Sequence, residues 1–90
     1  MPKVVVDPDD LQRFAIELKR FGGEVQILLS NIHRQFAKVG DTWQDQEHAK
    51  FAQEFQQMVR VLSKFIATTE HQAPILMRKA EAIKNYLDQK

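Results

Sequence analysis

LQRFAIELKRFGGEVQILLSNIHRQFAKV, residues 11–39, reads as a single amphipathic helix. With Leu11 as position a of a heptad, the a column holds Leu11, Leu18, Val25, Ile32 and Val39, and the d column holds Phe14, Phe21, Leu28 and Gln35. All but Gln35 are apolar, and position e supplies Ala15, Gly22, Leu29 and Phe36 beside them. Gly22-Gly23 sits in the middle of this run and could mark a turn between two shorter helices, since each glycine costs about 1 kcal/mol against alanine in a helix interior. The step from Phe21 to Val25 to Leu28 nevertheless keeps its phase across the pair, which favours one continuous helix. Because Gly22 falls in the apolar e column, it also marks a place where a neighbouring helix approaches closely. Upstream, Asp7-Pro8-Asp9-Asp10 supplies an N-cap, a proline suited to the first helical position and acids for the positive end of the dipole. Downstream, Gly40 suits a left-handed C′ position that would end the helix.

A second amphipathic run begins near Asp45-Gln46-Glu47. With Phe55 as a, the a column is Phe55, Leu62, Thr69, Leu76 and Ile83, while the d column begins with Met58 and Phe65 and turns polar at Gln72. Position e stays apolar or small through Val59, Ile66, Ala73, Ala80 and Leu87. A straight helix slips about 20° per heptad against a strict 3.5-residue repeat, so a buried stripe that migrates sideways indicates nearly straight helices. The expected architecture is all-α: helix 1 over about residues 8–39, a turn over 40–45, and helix 2 over about 46–88, together one domain. Pro74 conflicts locally with helix 2, because it removes a hydrogen bond to the Glu70 carbonyl and disfavours helical geometry at Ala73. A kinked or loosened last segment is expected there, with a break into a short third helix as the alternative. An a/d/e stripe is wider than two helices can cover, so the pattern asks for more helices, most simply a second copy completing a four-helix bundle. Its core would include Phe14, Leu18, Phe21, Val25, Leu28, Ile32, Phe55, Met58, Leu62, Phe65 and Ile66. Helix 2 outruns helix 1, so residues from about Ala80 onward are expected to have fewer partners within their own hairpin.

Composition excludes several functions. The 90 residues carry 13 Lys+Arg against 12 Asp+Glu, with basic and acidic residues interleaved, so there is no concentrated phosphate-binding patch and no nucleic-acid partner is expected. Zero cysteines remove disulfides, thiolate chemistry and Cys-based zinc sites. The longest early apolar run, Val4-Val5-Val6, falls far short of a signal-peptide core, and no stretch reaches the roughly 20 apolar residues of a membrane span. Stable membrane insertion is therefore not expected, and any export would use a route that does not read a cleaved signal. His33, His48 and His71 lack metal-ligand spacing and read as solvated helix-surface residues. Phe21-Gly22-Gly23-Glu24 lacks the spacing of a phosphate loop, and the serines and threonines have no arranged base, so neither cofactor nor catalysis is expected.

The connection Gly40-Asp41-Thr42-Trp43-Gln44-Asp45 between the two helical runs resembles that of the WXG family of helical hairpins, the ESAT-six-like proteins. Trp43 lies near mid-chain as in that family, Phe51 matches the aromatic that usually follows it, and the Asp7-Pro8 opening is also similar. The resemblance spans essentially the whole chain. It implies a non-enzymatic substrate, or co-export partner, of a type VII secretion system that dimerises into an antiparallel four-helix bundle. The dimer would be a homodimer, or a heterodimer with a related hairpin, and a secretion ATPase would be a further partner. The chain would be cytoplasmic before a signal-peptide-independent export. Two positions depart from the family pattern. Asp45 replaces the motif's glycine, giving a Trp-x-Asp turn in which the aspartate serves as N-cap of helix 2. Tyr86 is followed four residues later by Lys90 where the family's export signal has an acid. Trp43, Asp45 and Tyr86 are accordingly the candidate turn and docking residues, Trp43 closing the end of the hairpin by packing on the last turn of helix 1, serving as a docking element, or both. An intracellular helical adaptor or chaperone-like protein unrelated to export is the competing reading.

Overall fold

The computed structural model describes residues 6–89 as two antiparallel helices, α1 (Pro8–Val39) and α2 (Gln46–Asp88), with no strand among the described residues. The hairpin measures 68 × 26 × 15 Å, the long dimension matching the roughly 65 Å expected for a straight 43-residue helix. Val4, Val5 and Lys90 lie outside the described residues, so the export-signal departure at Lys90 has no structural counterpart here.

α1 begins where Asp7, in extended conformation, accepts a hydrogen bond from Asp9 N at 2.9 Å, with Pro8 in the first turn. The helix then passes through Gly22-Gly23 without a break. Its end differs from the left-handed glycine stop expected from sequence. Gly40 is right-handed (φ −62°, ψ −16°), and no described residue has positive φ. The chain instead tightens: Gly40 N donates to Phe36 O, Asp41 N to Lys38 O, and Thr42 N and Trp43 N to Val39 O. These donors satisfy the Phe36, Lys38 and Val39 carbonyls without a left-handed residue. α2 in turn runs through Pro74 to Asp88 without interruption.

The two helices meet along positions a and e. Ala15, Phe55, Ile66, Ala73 and Ala80 form the buried apolar core, joined by Gly22 and Thr69. Small residues dominate this seam because the helices approach closely. A Cβ placed on Gly22 would lie 2.1 Å from Thr69 Oγ1, and that hydroxyl is turned back onto Ile66 O at 2.7 Å. Large d residues cannot enter so narrow a seam and flank it instead, as the edge-to-face contact of Phe21 with Phe65 shows (5.7 Å between centroids, 83°). The seam also extends further toward the C-terminus than the helix lengths imply. Ala80 is only 2% exposed, and Lys84 Nζ reaches Asp9 Oδ1 at 3.0 Å, so the α2 overhang starts beyond Lys84 and not at Ala80.

Candidate interaction surfaces

The turn end is closed by aromatic side chains. Phe36, from the last turns of α1, contacts Phe51 and Phe55 of α2 at 5.5 and 4.7 Å, and Phe51 leads on to Trp43 at 6.1 Å. His48 lies inside this cluster: its ring stacks on Phe36 (5.1 Å, 13°), meets Trp43 edge-on at 5.0 Å, and rests against the bare backbone of Gly40. This corrects the reading of His48 as a solvated surface residue, since it is half-buried and its Nε2 is buried without a hydrogen-bond partner. The signal was present one heptad upstream. Extending the a column back from Phe55 puts His48 at a and Phe51 at d. His33 and His71 are exposed.

Trp43 is half-buried, with one side against His48 and Phe51 and the other toward a shallow depression edged by Glu47, Lys50 and Glu54. It packs on the start of α2 more than on the last turn of α1, to which it is tied by its own N–H to Val39 O at 2.9 Å. Asp45 is extended (φ −98°, ψ −173°), and its Oδ1 accepts from His48 N at 3.0 Å, holding the first turn of α2. Tyr86 is exposed at the opposite end of the hairpin. Within one chain, therefore, the turn residues Trp43 and Asp45 come together and Tyr86 does not join them.

The remaining candidates divide by heptad position. Phe55 and Ile66 are buried in the seam, while Leu18, Val25 and Leu62 are half-buried along its edge. Phe14, Phe21, Leu28, Ile32, Met58 and Phe65 are exposed, from 40% at Phe65 to 65% at Leu28. These residues share one side of the hairpin. Val25, Leu28 and Ile32 of α1 face Met58 and Leu62 of α2 across an apolar groove of about 450 Å³. A patch of this kind, built from the a and d positions of both helices, is what a water-facing hairpin would not retain unless something covers it. Among the described residues no group of His, Asp or Glu is arranged to hold a metal ion, and no helix is long and apolar enough to cross a membrane.

A two-helix hairpin closed by a mid-chain tryptophan, with one apolar flank left open, defines a class of small helical-bundle proteins. The chain belongs to the WXG100 family, described as proteins of 100 residues with WXG, whose pattern it matches over residues 3–89. Its fold is similar to two crystal structures of EsxB, a secreted protein from Bacillus anthracis str. Sterne. Against the selenomethionine-labelled protein the TM-score is 0.77 at 26% identity, over 96% of this chain and 98% of that one. Against a glycine-to-alanine variant of EsxB the TM-score is 0.75 at 26% identity, over 94% and 98%. No curated protein matches the sequence.

Proposed function

We propose that this chain is a non-enzymatic substrate or co-export partner of a type VII-like secretion system and works as a homodimer. The observation that carries the dimer is the open flank of d positions with Ile32 from the a column: Phe14, Phe21, Leu28, Ile32, Met58 and Phe65 are all substantially exposed in the single hairpin. Burying such side chains contributes about 1.5–3 kcal/mol each when complete, so a second hairpin laid on this flank gains far more than the single chain does by leaving it wet. Antiparallel pairing of two flanks gives the four-helix bundle in which the a, d and e positions are all used. It also brings the Tyr86 end of one chain toward the Trp43 turn of the other, where the two form one composite recognition surface for the secretion machinery. Family membership and the likeness to a secreted EsxB support the export reading. On that reading the chain is cytoplasmic before export.

Two measurements test it. Light scattering of the purified chain gives twice 10.5 kDa if it is a homodimer. A clean monomer with cooperative helicity at micromolar concentration would refute the homodimer and leave a heterodimer with a related hairpin. In cells with a type VII system, Trp43→Ala abolishes appearance in the medium while leaving the dimer mass unchanged. A wild-type chain that dimerises yet stays inside such cells would assign it instead to an intracellular adaptor role.

A further inference from the structure

The side of the hairpin away from the d-position flank is not bland. Taking Ala15 and Gly22 as facing α2, the helical repeat of 100° per residue puts Phe14, Phe21 and Leu28 on one side of that line and Ile16, Gly23 and Ile27 on the other. Ile16 and Ile27 are 49% and 63% exposed. Opposite them α2 presents Ala73, Pro74 and Met77, and the two rows enclose a mostly apolar groove of about 900 Å³, larger than the one on the dimer flank. Ala73 belongs to the buried seam, but Ile16, Gly23, Ile27, Pro74 and Met77 are needed neither for it nor for the proposed dimer.

Three features mark this groove as built for an occupant. Gly23 is a mid-helix glycine with nothing within 4 Å of where a Cβ would stand, so unlike Gly22 it serves no contact inside the hairpin. Pro74, on the facing helix, is the other residue that weakens a helix interior, and it too lies on this groove. Local rules broken without compensation from the fold are expected where a surface serves something outside it. The third feature is charge. Lys19 and Arg78 line the groove without a carboxylate partner among the described residues, whereas Arg20 on the same rim is engaged by Glu24 at 3.4 Å and Glu17 at 3.8 Å. The groove therefore presents a mostly apolar lining, open to the backbone at Gly23, with the Arg20–Glu24 pair and two unneutralised cations, Lys19 and Arg78.

We propose that this groove docks an amphipathic helix of a second protein, with its apolar stripe on Ile16, Ile27 and Met77 and acidic residues toward Lys19 and Arg78. A channel between two helices receives a third helix by ridges-into-grooves packing, and the missing side chain at Gly23 lets the incoming backbone come close. A bilayer would call for a convex apolar ridge instead of a channel. The docking is independent of the dimer, because it uses the opposite side of the chain.

The test uses the full chain and two synthetic helical peptides of about 20 residues, identical in a leucine stripe at three- and four-residue spacing but flanked by glutamate in one and lysine in the other. Calorimetric titration gives saturable binding of the glutamate peptide and at least about tenfold weaker binding of the lysine peptide. Ile27→Asp abolishes the binding. Gly23→Leu, which replaces glycine with a strong helix former, raises Tm yet weakens the peptide at least about tenfold, so the loss is not one of folding. The dimer mass is the same in both variants. Equal affinity for the two peptides, no binding to either, or binding that survives Ile27→Asp would each overturn the proposal. So would association of dimers into larger species that Ile27→Asp removes, which would give the groove to a second copy. Binding to phosphatidylglycerol vesicles with that same dependence would give it to a lipid surface.

Discussion

Gly22 and Gly23 are neighbours in sequence with opposite surroundings, and replacing each by alanine separates the two. Alanine in place of glycine in a helix interior gains about 1 kcal/mol from backbone entropy alone, and this gain is common to both positions. At Gly23 nothing opposes it, since the new methyl meets open space. At Gly22 the methyl would lie 2.1 Å from Thr69 Oγ1 and 3.1 Å from Thr69 Cβ. Relief requires either moving the helices apart, which loosens Ala15 and Ala73, or turning Thr69 out of its bond to Ile66 O. Overpacking of this kind costs about 1–3 kcal/mol, so the net effect at Gly22 runs from about neutral to a loss of about 2 kcal/mol. Thermal unfolding followed by circular dichroism reads the difference. Gly23→Ala should raise Tm by about 4–8 °C, and by about the same if two chains melt together, since the dimer carries the substitution twice; Gly22→Ala leaves it unchanged or lowers it. Combining Gly22→Ala with Thr69→Ala removes the hydroxyl and should recover part of the loss, giving a non-zero coupling energy between the two sites. Equal upward shifts for the two single variants would refute the close approach of the helices at this point.

Other outcomes follow from the same geometry. Leu28→Asp places a carboxylate in the middle of the open flank and should halve the mass seen by light scattering while leaving the helical spectrum largely intact, because Leu28 is exposed in the single hairpin. Phe55→Ala, at a residue only 6% exposed and in contact with Phe36 and Phe51, should cost about 3–5 kcal/mol in denaturant unfolding. Asp45→Ala removes the acceptor for His48 N and should cost about 0.5–2 kcal/mol, whereas Asp45→Gly should cost only a few tenths; equal losses would mean that the cap contributes nothing. Lys84→Ala, which breaks an ion pair whose side chains are 49% and 57% exposed, should change stability by less than about 1 kcal/mol in the same experiment.

The helical hairpin was legible because the apolar period is strong and its phase survives both Gly22-Gly23 and Pro74. Which heptad column would face which neighbour was not. A d residue and an e residue look alike in a periodicity argument, and the choice is made by size. The small side chains at Ala15, Gly22, Ala73 and Ala80 let the helices close on the e side and push Phe14, Phe21 and Leu28 outward. The Gly40 stop was misread because a glycine after a helix suggests positive φ, whereas here the following residues supply donors in right-handed geometry. His48 was missed because a histidine counts as polar when columns are drawn, though its ring stacks like an aromatic one. The second groove escaped notice because Ile16 and Ile27 stand outside the a, d and e columns, and only the facing surface of α2 gives them meaning.

The geometry of Asp45 bears on how such chains are recognised. Its backbone is extended and no described residue of the turn has positive φ, so nothing at this position demands glycine. What the turn does require is an acceptor that can hold the free His48 amide in the first turn of α2, together with an indole and an imidazole that close the end of the hairpin. Serine, threonine or asparagine would satisfy the first requirement as well as aspartate does. A search keyed to the letters of a tryptophan–glycine motif would therefore overlook hairpins of the same construction. One keyed to a capping residue two positions after a mid-chain tryptophan, between two apolar heptad runs, would find them.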